Sequence, residues 1–329
     1  MKTLFRVLKW ALGIFAALIL LFVSYVLLSH NKTFDAPYPD IQASSDPAVI
    51  ERGKEIALGP AHCAHCHAPV SEYAKVEAGE EVPLSGGFDF VMPFGTLYAP
   101  NITSHEETGI GKLTDKEIAR ALRYGVGHDG RALFDFMPFY DLTDEDLTAV
   151  ISWLRTQPAV DNKRPTHEYN FVGKALKTFV FKPMGDGEIP DAPPRSESAE
   201  YGKYLVNSVA NCRGCHSPRD LMTGAYTGPE YSGGLQFEVV GPEGIIKGKH
   251  LVTPNLTPDS ETGIMADWSR EAFIARIRAG NRVPGTPMPW GPFSRMSEGD
   301  LTAIYNYLSS LDPVRNEVPV GIQEGDPQI

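Results

Sequence analysis

Two short segments of this chain share the pattern Cys-x-x-Cys-His, and this pattern constrains the fold more than any other feature. They are Cys63–His67 and Cys212–His216, and together they use all four cysteines. On one turn of a helix, residues three and four positions apart lie on the same face. Two thiols at this spacing can form thioethers with the vinyl groups of a haem while the histidine reaches the iron. Each segment therefore predicts one covalently attached haem c.

Other uses of paired cysteines fit poorly. A zinc ribbon places its two pairs about 15–20 residues apart, whereas more than a hundred residues separate Cys66 from Cys212. A thioredoxin-like redox pair needs neither the histidine nor the duplication, and a structural disulfide leaves the repeated histidines unexplained. The chain is therefore expected to carry two haem c groups.

Several stretches beyond the haem motifs occur twice, at a nearly constant offset. Residues 98–110 (YAPNITSHEETGI) correspond to 252–264 (VTPNLTPDSETGI), and residues 146–154 (DLTAVISWL) correspond to 300–308 (DLTAIYNYL). A motif set that recurs in the same order indicates one structural unit used twice. We refer to residues 47–160 and 198–315 as the first and second repeats.

The predicted fold is mainly α, with two tandem cytochrome c-like haem domains and one N-terminal transmembrane helix. Each repeat is expected to fold as three helices around a haem. Asp46-Pro47 is a helix start signal, and Thr114 and Glu117 have the spacing of a capping box. Gly53 and Gly202 are expected to let the first helix of each repeat approach the last one closely, against Trp153 or Tyr307.

The predicted segments are a cytoplasmic tail (1–9), the transmembrane anchor (10–29), a linker (30–46), domain 1 (47–160), an inter-domain linker with a short amphipathic helix (161–197), domain 2 (198–315) and an acidic tail (316–329).

An uncharged run of twenty residues, Trp10–Ser29, lies near the N-terminus. Its length matches the hydrocarbon thickness of a bilayer. A cleaved signal peptide is the alternative, but its apolar part is usually about 7–15 residues long and ends in a small-x-small site, which Val26–His30 lacks. Lys2, Arg6 and Lys9 precede the run, so the positive-inside rule keeps the tail in the cytoplasm. The sequence thus predicts an uncleaved single-pass anchor in a bacterial inner membrane, with the haem domains on the periplasmic side.

Two methionines stand at equivalent places late in the repeats and are the candidate distal haem ligands. Met137 lies in FMPFY and Met288 in PMPWGPF, and each is followed by proline. A proline has a fixed φ and no N–H, which favours a held, extended ligand loop. Met92-Pro93 has no counterpart and is interpreted as loop packing. Six further histidines do not recur at equivalent positions and are expected to have surface or loop roles: His62, His65, His105, His128, His167 and His250.

The linker between the repeats contains an apolar helical face within Phe171–Phe181. We interpret this segment as a brace packed on one or both repeats, with contact to the membrane or to a partner subunit as the alternatives. The formal net charge of −11 excludes nucleic acid as a partner. It favours either simple solubility or the steering of a basic redox partner.

The combination of Cys-x-x-Cys-His, Pro-Asn-[Ile/Leu]-Thr, Glu-Thr-Gly-Ile, a late Met-Pro and a terminal Asp-Leu-Thr-Ala helix resembles a known family. It is similar to the cytochrome c subunits of bacterial membrane-bound dehydrogenases for alcohols, aldehydes and gluconate. The resemblance implies that electrons pass from a dehydrogenase through the haems to ubiquinone or a terminal oxidase, with no catalytic residue in this chain. The resemblance implies that the haems are attached through Cys63, Cys66, Cys212 and Cys215. It implies that the iron ligands are His67, His216, Met137 and Met288. It also implies that Arg219 pairs with a haem propionate.

Three other readings of the sequence stay open. The donor is either a dehydrogenase or a quinol-oxidising complex, and the acceptor is an oxidase or a soluble cytochrome. A di-haem peroxidase also carries two Cys-x-x-Cys-His motifs, and a haem-based sensor is a further alternative. Both would need a haem with an open or displaceable distal side, which the two matched Met-Pro segments disfavour.

Overall fold

The computed structural model describes residues 2–185, 189, 193–220, 224–241 and 244–327. Its first element is helix α1 (Lys2–Ser29), the one helix among these residues that is long and apolar enough to cross a membrane. The helix begins earlier than the uncharged run because the basic tail is helical as well. Almost all of α1 is exposed, and Val26 near its end is buried.

The first repeat contains five helices and a hairpin, and the linker adds a strand and a helix. In chain order these are α2 (Pro47–Leu58), α3 (Ala64–His67), α4 (Tyr73–Ala78), β1 (Asp89–Met92), β2 (Gly95–Tyr98), α5 (Asp115–Tyr124), α6 (Asp144–Thr156), β3 (Glu168–Tyr169) and α7 (Phe171–Phe179).

The second repeat has a similar order of elements, but among its described residues it lacks a counterpart of α4 and has an additional short helix before the last one; a strand follows it. The elements are α8 (Ala199–Tyr204), a π-helical turn (Leu205–Val209), α9 (Cys212–His216), β4 (Gln236–Gly241), β5 (Gly244–Val252), α10 (Arg270–Arg278), α11 (Trp290–Ser294), α12 (Glu298–Ser309) and β6 (Ile322–Glu324).

The helix starts follow the capping signals of the sequence. Asp46 accepts a hydrogen bond from the Ala48 amide at 2.8 Å, and Pro47 occupies the first position of α2. Thr114 and Glu117 form the predicted capping box at the start of α5, because each side chain bonds the backbone N–H of the other residue. These polar caps satisfy backbone donors that a helix cannot bond internally. They place the helix starts where the sequence predicts them.

Gly53 and Gly202 lie where the first and last long helices of each repeat cross. A Cβ atom on Gly53 would lie 1.8 Å from the Ala149 carbonyl oxygen, and one on Gly202 would lie 1.9 Å from the Ala303 carbonyl oxygen. The Cβ atoms of Trp153 and Tyr307 are 3.0 Å from the same two positions. The predicted close approach is therefore confirmed in both repeats.

Two small antiparallel sheets complete the fold, and the sequence analysis did not predict them. Strands β1, β2 and β3 form one sheet in that order, and β4, β5 and β6 form the other. In each repeat the hairpin lies between the Cys-x-x-Cys-His segment and the Pro-Asn-[Ile/Leu]-Thr segment. The repeats thus have a helical core with a β-hairpin at the same place.

The repeats share one continuous apolar core and a polar contact at their junction. Arg52 and Tyr201, which precede the two crossing glycines, meet at 3.1 Å from Nη2 to the hydroxyl oxygen. Arg52 also donates two hydrogen bonds to the Asp146 carboxylate, to which the Tyr204 hydroxyl donates at 2.7 Å. Burial penalises the Tyr201 phenolate and raises the pKa of this side chain to about 12. The phenol is therefore neutral at physiological pH and acts as a hydrogen-bonding group.

Candidate haem-binding sites

The two motif histidines are buried and held in the same way. His67 is 6% exposed and its Nδ1 lies 2.8 Å from the Pro100 carbonyl oxygen. His216 is 7% exposed and its Nδ1 lies 3.1 Å from the Pro254 carbonyl oxygen. A carbonyl oxygen only accepts hydrogen bonds, so Nδ1 carries the proton and the lone pair of Nε2 is left free. This carbonyl–histidine arrangement is the one that orients an imidazole toward a metal.

The Pro-Asn-[Ile/Leu]-Thr segment holds that carbonyl in place. Asn101 is buried and donates to the Val160 carbonyl at 2.8 Å, and Asn255 donates to the Val314 carbonyl at the same distance. The side-chain oxygen of each asparagine accepts bonds from the threonine two residues later. The asparagines therefore fix the loop that orients each histidine. This role was not predicted from the sequence, although the recurrence of Pro, Asn and Thr at the same spacing in both repeats was the available signal.

The four cysteines are not joined in disulfides. Burial raises the pKa of Cys63 to about 12, that of Cys66 to about 11 and that of Cys212 to about 12, and it also raises that of Cys215. Neutral thiols are poor metal ligands. In the part of the chain that the structure describes, no group of three or more His, Cys, Asp or Glu side chains could hold a metal ion. Each repeat therefore offers a pair of cysteines next to a buried histidine, which is the set that thioether attachment of haem uses.

Met137 and Met288 occupy the same local structure. The Phe139 amide donates to the Met137 carbonyl oxygen at 2.9 Å, and the Trp290 amide donates to the Met288 carbonyl oxygen at 2.8 Å. Both bonds close a three-residue turn around the intervening proline. Both side chains are partly buried against the shared core. The two Met-Pro segments are thus equivalent in structure as well as in sequence.

Met92 lies at a different kind of position. It is the last residue of β1 and pairs with Gly95 at the tip of the hairpin. The other histidines are also placed apart from any such turn. His62 is half-buried, and desolvation lowers its pKa to about 4, while the His65 Nε2 lies 3.1 Å from the Glu77 carboxylate. His167 accepts a hydrogen bond from the Tyr98 amide in the first sheet.

Haem c brings anionic propionate groups, and the chain offers unused buried donors for such a group. Among the described residues, Arg120 Nε, Arg219 Nε and Trp290 Nε1 are buried donors without a hydrogen-bond partner. Two of them stand close in sequence to the second motif and to Met288. The free Nε2 of each motif histidine adds a metal-binding lone pair. The donor set therefore fits haem. Arg219 also lies 3.9 Å from Asp135 of the first repeat, a contact that the sequence did not indicate.

The haem-binding segments of the two repeats pack against each other reciprocally. Helix α11, which follows Met288, contacts α4 behind the first motif: the Gly291 amide donates to Glu77 at 3.1 Å, and the rings of His62 and Phe293 lie 5.8 Å apart. Conversely, Asp135 of the Met137 segment contacts Arg219 behind the second motif. Each methionine segment thus lies near the motif of the other repeat.

Each repeat thus places a buried carbonyl-bonded histidine, two cysteines and a methionine turn in equivalent positions, a set of groups that suits a covalently attached haem c. Residues 50–158 match the cytochrome c family model, so the chain contains a cytochrome c domain. Such domains bind haem c covalently and transfer electrons.

The chain is similar to subunits of dehydrogenases and to a diheme cytochrome c-type protein. The chain is 31% identical over 279 residues to a nicotinate dehydrogenase subunit of Pseudomonas putida, with 80% of this chain and 21% of that protein covered. It is 27% identical to the alcohol dehydrogenase (quinone) cytochrome c subunit of Gluconobacter oxydans, with 85% and 58% covered. It is 28% identical to a diheme cytochrome c-type protein of Cereibacter sphaeroides, with 77% and 82% covered. The resemblance to cytochrome c subunits of dehydrogenases is confirmed, although the chain spans only a fifth to three fifths of the first two relatives.

Proposed function

We propose that the chain is a membrane-anchored periplasmic di-haem cytochrome c that passes electrons from a dehydrogenase or a quinol-oxidising complex to a terminal oxidase or another acceptor. The observation that carries the proposal is the duplicated site. Each repeat combines a Cys-x-x-Cys-His segment, a histidine bonded to a proline carbonyl and a Met-Pro turn. A single such site would suit any cytochrome c domain, whereas two matched sites suit a carrier with two haems.

The chain's own residues have distinct roles in this proposal. Cys63 and Cys66 attach one haem, and Cys212 and Cys215 attach the other. His67 and His216 would each supply a nitrogen ligand to an iron, and their Nδ1–H bonds to proline carbonyls keep the rings oriented. Met137 and Met288 would supply the second protein ligand, and a methionine ligand gives a higher reduction potential than a second histidine. Arg219 neutralises a propionate. When bound, haem supplies a one-electron Fe(III)/Fe(II) couple.

Haem counting tests this proposal directly. We expect two haems per chain by intact mass and pyridine haemochrome assay, with both irons low-spin and with the far-red charge-transfer band of methionine-ligated haem. The double variant Cys63→Ala, Cys66→Ala should retain one haem. A wild-type chain with only one haem would overturn the proposal, and a high-spin haem open to peroxide would favour the peroxidase or sensor alternatives.

The membrane anchor is a separate prediction. Helix α1 contains the uncharged run. Just beyond its end, Lys32 donates a hydrogen bond to the Thr178 carbonyl oxygen at 2.6 Å. We therefore expect the protein to stay in the membrane fraction after alkaline carbonate washing and to retain its first residues. N-terminal sequencing that begins near His30 or Asn31 would show instead that the apolar run is a cleaved signal.

A further prediction concerns electron exchange between the haems. The reciprocal packing of the methionine segments and the shared core favours a rigid pair over two independent domains. We expect fast exchange, independent of solvent viscosity, after flash reduction of one haem. Equilibration that is slower than milliseconds and slows with added glycerol would indicate that the repeats move separately.

The partner is proposed from the relatives and from charge. The nicotinate and alcohol dehydrogenase subunits named above suggest that this chain serves a dehydrogenase. Its net charge of −11 favours a basic docking surface on a partner. Purification from membranes in mild detergent, followed by mass spectrometry of the co-purified subunits, would distinguish a dehydrogenase donor from a quinol-oxidising complex.

A further inference from the structure

Helix α7 exposes its apolar face, which is the reverse of what a helix on a soluble surface does. Phe171, Val172 and Phe179 are 41%, 55% and 56% exposed. They lie on one side of the helix at a period of 3.6 residues. Of the two buried residues, Gly173 lies on the opposite side and Thr178 lies beside Phe171 at the edge of the apolar face.

The buried side of α7 is occupied by the protein itself. A Cβ on Gly173 would lie 2.2 Å from the Phe94 carbonyl oxygen at the tip of the first hairpin. The Asn170 side chain caps the helix by accepting from the Gly173 amide at 3.1 Å, and its amide group donates to the Pro93 carbonyl at 2.8 Å. The helix is therefore fixed on the first repeat with its apolar side outward.

The exposed face is continuous with the outer end of α1. The ring of Phe22 is stacked with that of Phe179 at 6.0 Å and meets Phe171 edge-on at 6.3 Å. Tyr25 is stacked with Phe179 at 5.9 Å. Phe22 lies seven residues before Ser29, so at 1.5 Å per residue it is about 10 Å inside the end of α1. The apolar face of α7 therefore lies beside the last two turns of the uncharged run.

The two lysines of α7 leave this apolar face uncharged. Lys174 and Lys177 lie on the side of the helix away from Val172 and Phe179, where both are half-buried against the protein, and Lys177 donates to Asn31 just beyond α1 at 3.2 Å. A helix with its apolar residues on one face and its charges on another lies in the plane of the membrane interface.

We propose that α7 is a second membrane contact, lying in the outer leaflet with Val172 and Phe179 inserted at the boundary between headgroups and acyl chains. The inference depends on the membrane-spanning placement of α1 that is proposed above. The occupant of the apolar face is the bilayer itself, because the face continues a surface of α1 that is already in lipid. Anchoring at both α1 and α7 would fix the first repeat at one height and tilt.

Spin-label accessibility tests this proposal on the full-length haem-loaded protein. Single variants Val172→Cys, Leu18→Cys and Val320→Cys would be nitroxide-labelled and reconstituted, with lipid in large excess, into vesicles of phosphatidylethanolamine and phosphatidylglycerol. Unsubstituted protein carried through the same labelling reports any background from the native cysteines.

Leu18 lies mid-way along α1, and Val320 is an exposed apolar residue (86% exposed) remote from α1 in sequence. We expect the Val172 label to collide with oxygen and to be protected from a water-soluble nickel complex, at a shallower depth than the Leu18 label. The Val320 label should be fully accessible to nickel.

The outcomes separate the two proposals. A Val172 label in water beside a Leu18 label in hydrocarbon would overturn the inference while the anchor stands. A Leu18 label in water would show that the proposed anchor itself is wrong. A Val172 label that is immobilised and shielded from both oxygen and nickel would mean that protein, in this preparation a second copy of the chain, covers the face, and the lipid proposal would be rejected.

Discussion

Replacing Met137 with alanine is expected to convert one of the two haems from low-spin to high-spin and to lower its reduction potential, with little effect on the other. A thioether sulfur stabilises the reduced iron more than water does, so its loss favours the oxidised form. The fall should be on the order of 0.1–0.3 V, within the range of about 0.8 V over which axial ligands set haem potentials. Absorption spectra and a redox titration of the purified variant measure both effects.

Met92→Ala is the matched control for this experiment. It removes the same side chain from the hairpin tip of the same repeat, so its spectrum and potentials should equal those of the unsubstituted protein. If both haems stay low-spin in Met137→Ala and one becomes high-spin in Met92→Ala, Met92 is the ligand. The structural equivalence of the two Met-Pro turns would then not reflect a shared role as iron ligands. An unchanged spectrum in both variants would point to a histidine.

Gly202→Ala is expected to destabilise the protein strongly. The added Cβ would lie 1.9 Å from the Ala303 carbonyl oxygen, and a backbone oxygen cannot move aside as a flexible side chain can. Helices α8 and α12 must therefore separate, at a cost of about 3 kcal/mol in the free energy of unfolding, at or above the upper end for overpacking. Chemical denaturation followed by far-UV circular dichroism measures the change.

Gly299→Ala provides the control within α12. A Cβ at that position would meet only the Glu197 side chain at 3.9 Å and the Ser297 hydroxyl at 4.0 Å. Alanine should be neutral there or stabilise the helix by up to about 1 kcal/mol, because it restricts the unfolded chain more than glycine does. Equal unfolding midpoints for the two variants would show that the helix crossing tolerates a side chain.

The parts of the molecule that the sequence predicted depend on local chemistry. The Cys-x-x-Cys-His spacing predicts haem attachment because three side chains must meet on one helical turn. The start of α2 and the capping box of α5 each involve residues no more than three positions apart. Gly53 and Gly202 were paired with Trp153 and Tyr307 because both copies carry the same arrangement. Comparison of the two copies thus made it possible to predict these helix–helix contacts, which the sequence of one copy alone would not indicate.

The parts that the sequence did not predict depend on contacts between distant segments. The Asn101 amide bonds a carbonyl 59 residues away, and no local pattern indicates that partner. The strands of the hairpins are short, and β5 contains Lys247, Gly248 and Lys249, so the apolar alternation that favours a strand is weak. The apolar face of the linker helix can be predicted from its periodicity, but its exposure depends on the packing of Gly173 against the hairpin. Which face of a helix is buried depends on the segments that pack against it, and the helix sequence alone does not specify them.

The junction between the repeats also bears on how such a chain evolves. Arg52 and Tyr201 hold the same position in the two copies and touch each other. Two copies of the first repeat docked in this way would oppose arginine to arginine, and two copies of the second would oppose tyrosine to tyrosine. The two copies are therefore complementary at this junction rather than interchangeable. Deleting or exchanging either one would remove one side of the hydrogen-bonded contact, so we expect the two copies to be inherited as one unit.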